Sequence, residues 1–171
     1  MVVLSVLSLW LSLALASAAE EASPPFAQFY GTWTLKDDTF QQVWDTKTLQ
    51  TLTIPNHITV CDKVNTDQTV LCVVDAGGLK GHILWAYDKS AGLRHLSHFG
   101  TSRLGTGAGT IDDAGNLRLR VQFTDEPEGT YRLYTYEWRD PDTYEMVSRQ
   151  YDADDRPTGN WYGGTFVRLA P

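Results

Sequence analysis

Leu117-Arg118-Leu119-Arg120-Val121-Gln122-Phe123 alternates without a break. Leu117, Leu119, Val121 and Phe123 share one face, while Arg118, Arg120 and Gln122 take the other. A half-buried antiparallel strand requires this period of two, and a helix cannot use it. Asp112-Asp113-Ala114-Gly115-Asn116 precedes the stretch and Asp125-Glu126-Pro127-Glu128-Gly129 follows it, both rich in the residues that tight reversals demand. Further clusters of this kind stand at Asn65–Gln68, Asp88–Gly92, Asp140–Asp142 and Asp152–Asn160. Their spacing of roughly 10 to 15 residues indicates antiparallel hairpins rather than βαβ units.

Working outward, Tyr131-Arg132-Leu133-Tyr134-Thr135-Tyr136-Glu137-Trp138 reads as a strand with rings on both faces. A barrel wall with a lined interior has that pattern, and so does a sheet covered on both sides. Strands are expected near 30–37, 41–46, 51–54, 57–64, 69–76, 80–87, 93–100, 104–111, 116–124, 130–139, 143–151 and 161–169, with 41–46 and 51–54 the least regular. A sequential run of hairpins closes most simply into an all-β, antiparallel up-and-down barrel of about ten strands, which leaves no unpaired edge. A β-sandwich is the alternative.

Ahead of this train, Val2 to Ala16 contains no Asp, Glu, Lys or Arg, and the first charged side chain is Glu20. Ala16-Ser17-Ala18 supplies the small-x-small pattern of a cleavage site. The reading is a signal peptide over 1–18, a flexible leader over 19–25 and a barrel domain over 26–171. The rival is a membrane anchor, but the stretch falls short of the about 20 apolar residues that a span needs, and Ser5, Ser8 and Ser12 interrupt it. A secreted or periplasmic protein with no stable membrane span after processing is expected. The formal net charge of −7 repels phosphate backbones and anionic lipid, so nucleic acid is not an expected partner. Nothing in the sequence specifies an oligomeric state.

Cys61 and Cys72 flank the Asn65–Gln68 turn. In a hairpin centred there, paired positions have a constant sum, and Cys61 pairs with Cys72 as Asn65 pairs with Gln68. The two thiols then lie on one face within disulfide range, and an exported chain with this register is expected to bridge them. Free core thiols are the alternative.

The same argument about the Asp88–Gly92 turn sets His95 opposite Trp85, on the face of Ile83, Tyr87, Leu93 and Phe99. His82 and His98 take the other face. His95 reads as a hydrogen-bonded wall residue that points into the barrel; the functional alternatives are a polar contact to a ligand or an axial haem ligand. Leu104-Gly105-Thr106-Gly107-Ala108-Gly109-Thr110 lacks the following helix of a phosphate loop and reads as a strand that curves sharply or passes beneath a ring. Asp152, Asp154 and Asp155 read as a solvated turn. No metal site, cofactor motif or catalytic constellation stands out.

Rings are the remaining signal, since enough of them can line an apolar pocket with hydroxyl handles. The expected lining is Trp85, Tyr87, His95, Phe99, Tyr134, Tyr136 and Trp138. A barrel that simply fills itself with rings is the alternative.

Phe29-Tyr30-Gly31-Thr32-Trp33 resembles the Gly-x-Trp that opens lipocalin-type (calycin) barrels. The resemblance implies that Trp33 closes the bottom of the barrel and that a basic residue near the last strand, Arg168, packs across it, with Gly31 a structural position. Over about residues 26–169 the chain resembles a bacterial family of uncharacterised lipocalin-like barrel proteins. Tyr87-Asp88-Lys89-Ser90-Ala91-Gly92 and Ile111-Asp112-Asp113-Ala114-Gly115-Asn116 match that family's Asp-x-x-Gly turns in style. Two features depart from better-known relatives: turn-rich Asp152–Asn160 replaces a helix before the last strand, and no His follows His98. The resemblance implies a barrel with a pocket, and neither haem nor a particular ligand. The leading expectation is an exported binding protein for a small apolar or amphiphilic molecule. An enzyme using His95 as acid or base, and a pocketless interaction scaffold, are the alternatives.

Overall fold

The computed structural model describes residues 25–45 and 48–170. The expected signal peptide, and the leader apart from Pro25, lie outside the described residues. A 3₁₀ turn, Ala27–Phe29, leads into β1 (Gly31–Leu35), β2 (Thr39–Trp44), β3 (Thr48–Thr53), β4 (Ile58–Val64), β5 (Thr66–Ala76) and β6 (Leu79–Asp88). There follow β7 (Gly92–Phe99), β8 (Arg103–Ile111), β9 (Leu117–Phe123), β10 (Tyr131–Asp140), β11 (Thr143–Tyr151) and β12 (Pro157–Arg168).

Strands β4 to β12 pair in chain order, β1 pairs with β4, and β1 also pairs with β12. The result is a closed, antiparallel, ten-strand up-and-down barrel with two extra strands. The extra strands are β2 and β3. A second 3₁₀ turn (Lys36–Asp38), in which Asp37 and Asp38 take positive φ, separates β2 from β1. β2 then runs along the upper half of β12, with Trp161 opposite Val43, and folds back into β3. The β2–β3 hairpin therefore joins the wall through β12 alone among the described strands. The irregular segments near 41–46 and 51–54 form this hairpin because one half of β12 serves β1 and the other half serves β2.

β9 shows the alternation that its sequence dictates, with every odd residue from Leu117 to Phe123 buried and every even one exposed. Cys61 stands opposite Cys72, and the two are bonded on the inner face. The turn differs from expectation. Asn65 alone is the pivot, in left-handed conformation (φ 62°), with Val64 paired to Thr66. A bulge between Lys63 and Val64 restores the register below it, which is how an extra residue is absorbed without flipping faces. The last reversal is also shorter than the expected Asp152–Asn160. β12 begins at Pro157 because Thr158 and Asn160 donate to the Gln150 side chain across the hairpin, at 3.0 and 2.9 Å. In β8, an added Cβ at Gly107 or Gly109 would fall 2.2 Å from the Arg120 carbonyl or 1.9 Å from that of Arg118. Glycine lets this wall bend that tightly.

The end bearing the β6–β7, β8–β9 and β10–β11 turns is closed. Phe26 and Phe29 from the N-terminal segment are buried inside it. Phe29 packs against Trp85, Tyr136, Trp138 and Tyr144. Trp33, fully buried, donates its indole N–H to the Phe29 carbonyl at 2.8 Å. Arg168 lies directly opposite Trp33 in the register, with its guanidinium carbon 4.2 Å from the indole centroid. Its nitrogens donate to Asp142 Oδ1 (2.8 Å) and to the carbonyls of Gln28 (2.9 Å), Pro141 (3.2 Å) and Tyr30. Gly31 has φ 118°, and a Cβ there would meet Arg168 Nη1 at 2.9 Å. Any side chain at this position would displace the guanidinium.

Candidate functional site

Above the aromatic floor the barrel holds a cavity of about 340 Å³. That volume lies within the roughly 300 to 1,000 Å³ typical of small-molecule sites. Its lower wall is Trp85, Tyr136, Tyr144 and Phe166, and its side wall includes the Cys61–Cys72 bridge. Toward the mouth stand Phe40, Gln42 and Trp44 of the hairpin, with Ile54 and Leu79 beside them. His57, His95, Ser97, Arg103, Tyr134 and Tyr162 bring polar atoms to the lining. A hollow of about 520 Å³ lies on the outside, between Lys36, Asp37, Glu145, Arg149 and Trp161. It is a charged surface groove. The interior combines enclosure, apolar walls and a few convergent polar groups, and on physical grounds it is the candidate site.

Of the expected lining, Trp85, His95, Phe99, Tyr134 and Tyr136 face the cavity. Tyr87 and Trp138 do not. Tyr87 lies one residue from the closed-end turn and packs at the margin of the core. Trp138 sits below the cavity, between Phe29, Trp33 and Tyr144, with its indole N–H on the Gly115 carbonyl. The N-terminal plug covers it, and nothing in the alternation of β10 foretold that plug.

His95 is buried and opposite Trp85. The Trp85 indole donates to Nδ1 at 2.9 Å, and Nε2 lies 3.0 Å from Ser97 Oγ. An indole can only donate, so Nδ1 is the acceptor and Nε2 carries the proton. Ser97 therefore faces an N–H and not a base. Burial lowers the His95 pKa to about 4. His95 hydrogen-bonds to Trp85 and Ser97, and an acid–base role would need a carboxylate or tyrosine hydroxyl within reach instead. Burial also lowers the pKa of His57. It pushes the Tyr134 and Tyr136 phenols far up, so both remain neutral hydrogen-bonding groups.

This geometry gives a pH dependence. An unfolded chain takes up a proton on His95 near pH 6.5, whereas the folded one resists until about pH 4. Between those values the unfolded state binds more protons, so the contribution of His95 is complete above pH 6.5 and is lost as pH falls toward 4. The loss over the whole window is about 3 kcal/mol. Urea melts from pH 7 to 4.5 should show His95→Gln losing less stability than the parent. Parallel curves would contradict the buried neutral imidazole.

The sequence reading did not anticipate the cluster at the mouth. Arg132 falls on the inner face of β10 with Tyr134 and Tyr136, and it is completely buried. Its Nε donates to Glu126 Oε1 at 2.6 Å. The same oxygen accepts from Arg103 Nη2 at 3.0 Å, while Arg103 Nη1 holds both oxygens of Asp125 at 2.8 and 2.6 Å. Burial works against the charge on Glu126, but its bonds to Arg132, Gln150 and Arg103 outweigh that and hold its pKa below the ordinary value. Burial likewise opposes the charge on Arg103, and Tyr162, Asp125 and Glu126 outweigh it. The Arg132 guanidinium stands 4.7 Å from the Trp44 ring and 4.9 Å from the Tyr162 ring. Tyr162 shares a hydroxyl–hydroxyl hydrogen bond with Tyr134. The alternation of β10 does place Arg132 on the same side as Tyr134, but the rings on both faces of the segment drew the reading instead.

A closed antiparallel barrel with an aromatic-lined internal cavity is thus the class that fold and site define. No family model matches the chain, and no curated protein matches it. Among solved structures the chain is similar to EF1p2_mFAP2b bound to DFHBI, at 12% identity and a TM-score of 0.39, over 86% of this chain and 99% of that one. It is also similar to a protein of unknown function from the DUF3598 family of Nostoc punctiforme, at 12% identity and a TM-score of 0.24, over 88% of this chain and 100% of the other.

Proposed function

We propose that the chain is an exported, lipocalin-like binding protein that holds a small apolar or amphiphilic molecule inside its barrel. The observation that carries this reading is the cavity of about 340 Å³, walled by rings and the disulfide and entered beneath the β2–β3 hairpin. Trp33 closing one end with Arg168 across it is the feature that the lipocalin-type resemblance called for. The bridged cysteines suit an oxidising compartment, which supports export. The pocketless scaffold requires a filled interior, and the enzyme reading requires a proton-transfer partner for His95. The observed site favours neither.

Titration with Nile red, a neutral probe, should give saturable one-site binding. Val74→Trp, which places an indole in the cavity wall, should abolish it. The binding reading fails if the dye does not saturate, or if the filled variant binds it equally well. N-terminal sequencing of protein recovered from the medium or periplasm should begin at or next to Ala19.

A further inference from the structure

Resting on the binding reading above, we propose that the ligand is an acid, with its carboxylate received by Arg132 and Arg103 at the cavity mouth and its apolar body on the rings below. The argument starts from an unmet demand. Arg132 is completely buried, yet among the described residues its Nη1 and Nη2 have no hydrogen-bond partner. Only Nε is engaged, by Glu126. A guanidinium withdrawn from water in this way is costly unless something meets its remaining N–H groups.

Two unpartnered nitrogens on one planar fork offer parallel donors, which is the geometry of a carboxylate. The members of the cluster differ in depth. The Arg132 side chain is 0% exposed, that of Arg103 23% and that of Glu126 5%. The second anion, Asp125, is 40% exposed and faces solvent. Asp125 pairs with Arg103 on the solvent side, whereas Arg132 has only Glu126 Oε1, an oxygen it shares with Arg103.

Access to the fork is also built in. Arg103 already lines the cavity. Trp44, one of the two rings over Arg132, belongs to the β2–β3 hairpin, which joins the wall through β12 alone among the described strands. Trp44 is only half-buried. Arg132 itself is not among the cavity's lining residues, so the proposal requires that ring to move aside when the acid binds, with Tyr162 flanking the head group from the other side.

The test compares three ligands of the same chain length: decanoate, decanol and decylamine, titrated by calorimetry and tryptophan fluorescence. Decanoate should bind roughly tenfold or more tightly than decanol, as expected when a charge-assisted bond replaces a neutral one. Arg132→Met/Glu126→Gln, which removes the pair without leaving a lone charge, should lose that preference and keep its affinity for decanol. Arg132→Lys, a cation without the fork, should retain only part of it. Equal binding of decanoate and decanol, stronger binding of decylamine, or a preference that survives in the double variant would each overturn the proposal while leaving the cavity reading intact. Failure of all three ligands, together with failure of Nile red, would overturn both.

Discussion

Trp33→Ala should lower the unfolding free energy by about 3 to 5 kcal/mol, the range for deleting a large buried ring. Trp33 is fully buried, touches Trp138 and Tyr144 at 5.6 and 4.9 Å between centroids, and anchors the Phe29 carbonyl. Its loss leaves a cavity at the point where β1 meets β12 and where the N-terminal plug is fastened. Arg168→Ala should cost about 2 to 3 kcal/mol, because the guanidinium is both a cation over the indole and a donor to four oxygens on two segments, Gln28–Tyr30 and Pro141–Asp142. Urea melts of the two single variants and the double measure their coupling. The double should cost less than the sum of the singles, since each removal already frees the other partner. Strict additivity would show that the stacking carries no energy of its own.

The closed end was legible in the sequence because its rules are local. Gly31 and Trp33 lie two residues apart, and a closed up-and-down barrel must make its first and last strands neighbours, so Arg168 had to come near. The disulfide was legible for a related reason: a constant register sum survives a misplaced turn when a bulge absorbs the difference. Asn65 proved to be the pivot, yet Cys61 still met Cys72. The doubled use of β12 was not legible. Whether a segment such as Thr39–Trp44 continues the wall or folds over the mouth depends on a long-range pairing that its own alternation does not encode.

The candidate site was half legible. Periodicity brought Trp85, His95, Phe99, Tyr134 and Tyr136 to the interior, because a ring on the inward phase of a strand has nowhere else to point. Trp138 follows the same phase, but Phe29 occupies the space beneath it. The charged half was missed for a different reason. Glu126 sits in a turn of Asp, Glu, Pro and Gly that looks entirely solvated, and only the fold shows the loop tucking one carboxylate inward to meet Arg132. A charge on the buried phase of a strand implies a partner somewhere. Sequence can raise that implication and cannot name the partner.

Arg132→Met alone should destabilise the protein by about 3 to 5 kcal/mol, because it strands Glu126 as a buried carboxylate that has lost its strongest bond. Glu126→Gln alone should cost a similar amount, since it leaves Arg132 buried with none of its nitrogens facing a charge. The combination Arg132→Met/Glu126→Gln should behave differently. Methionine fills much of the space of the arginine stem against Trp44 and Tyr162, Gln keeps a hydrogen-bonding group for Gln150, and Arg103 retains both oxygens of Asp125. Stability should therefore return to within about 1 kcal/mol of the parent or exceed it, as when other buried ion pairs give way to packed neutral groups. Denaturant melts with an unchanged m-value, and near-ultraviolet circular dichroism matching the parent, would check this. A double variant as unstable as the two singles added together would make the pair a structural necessity. With the expected outcome, the barrel keeps a buried cation that its own stability does not require. Two of that cation's nitrogens have no hydrogen-bond partner among the described residues, and that is the demand the proposed acid would meet.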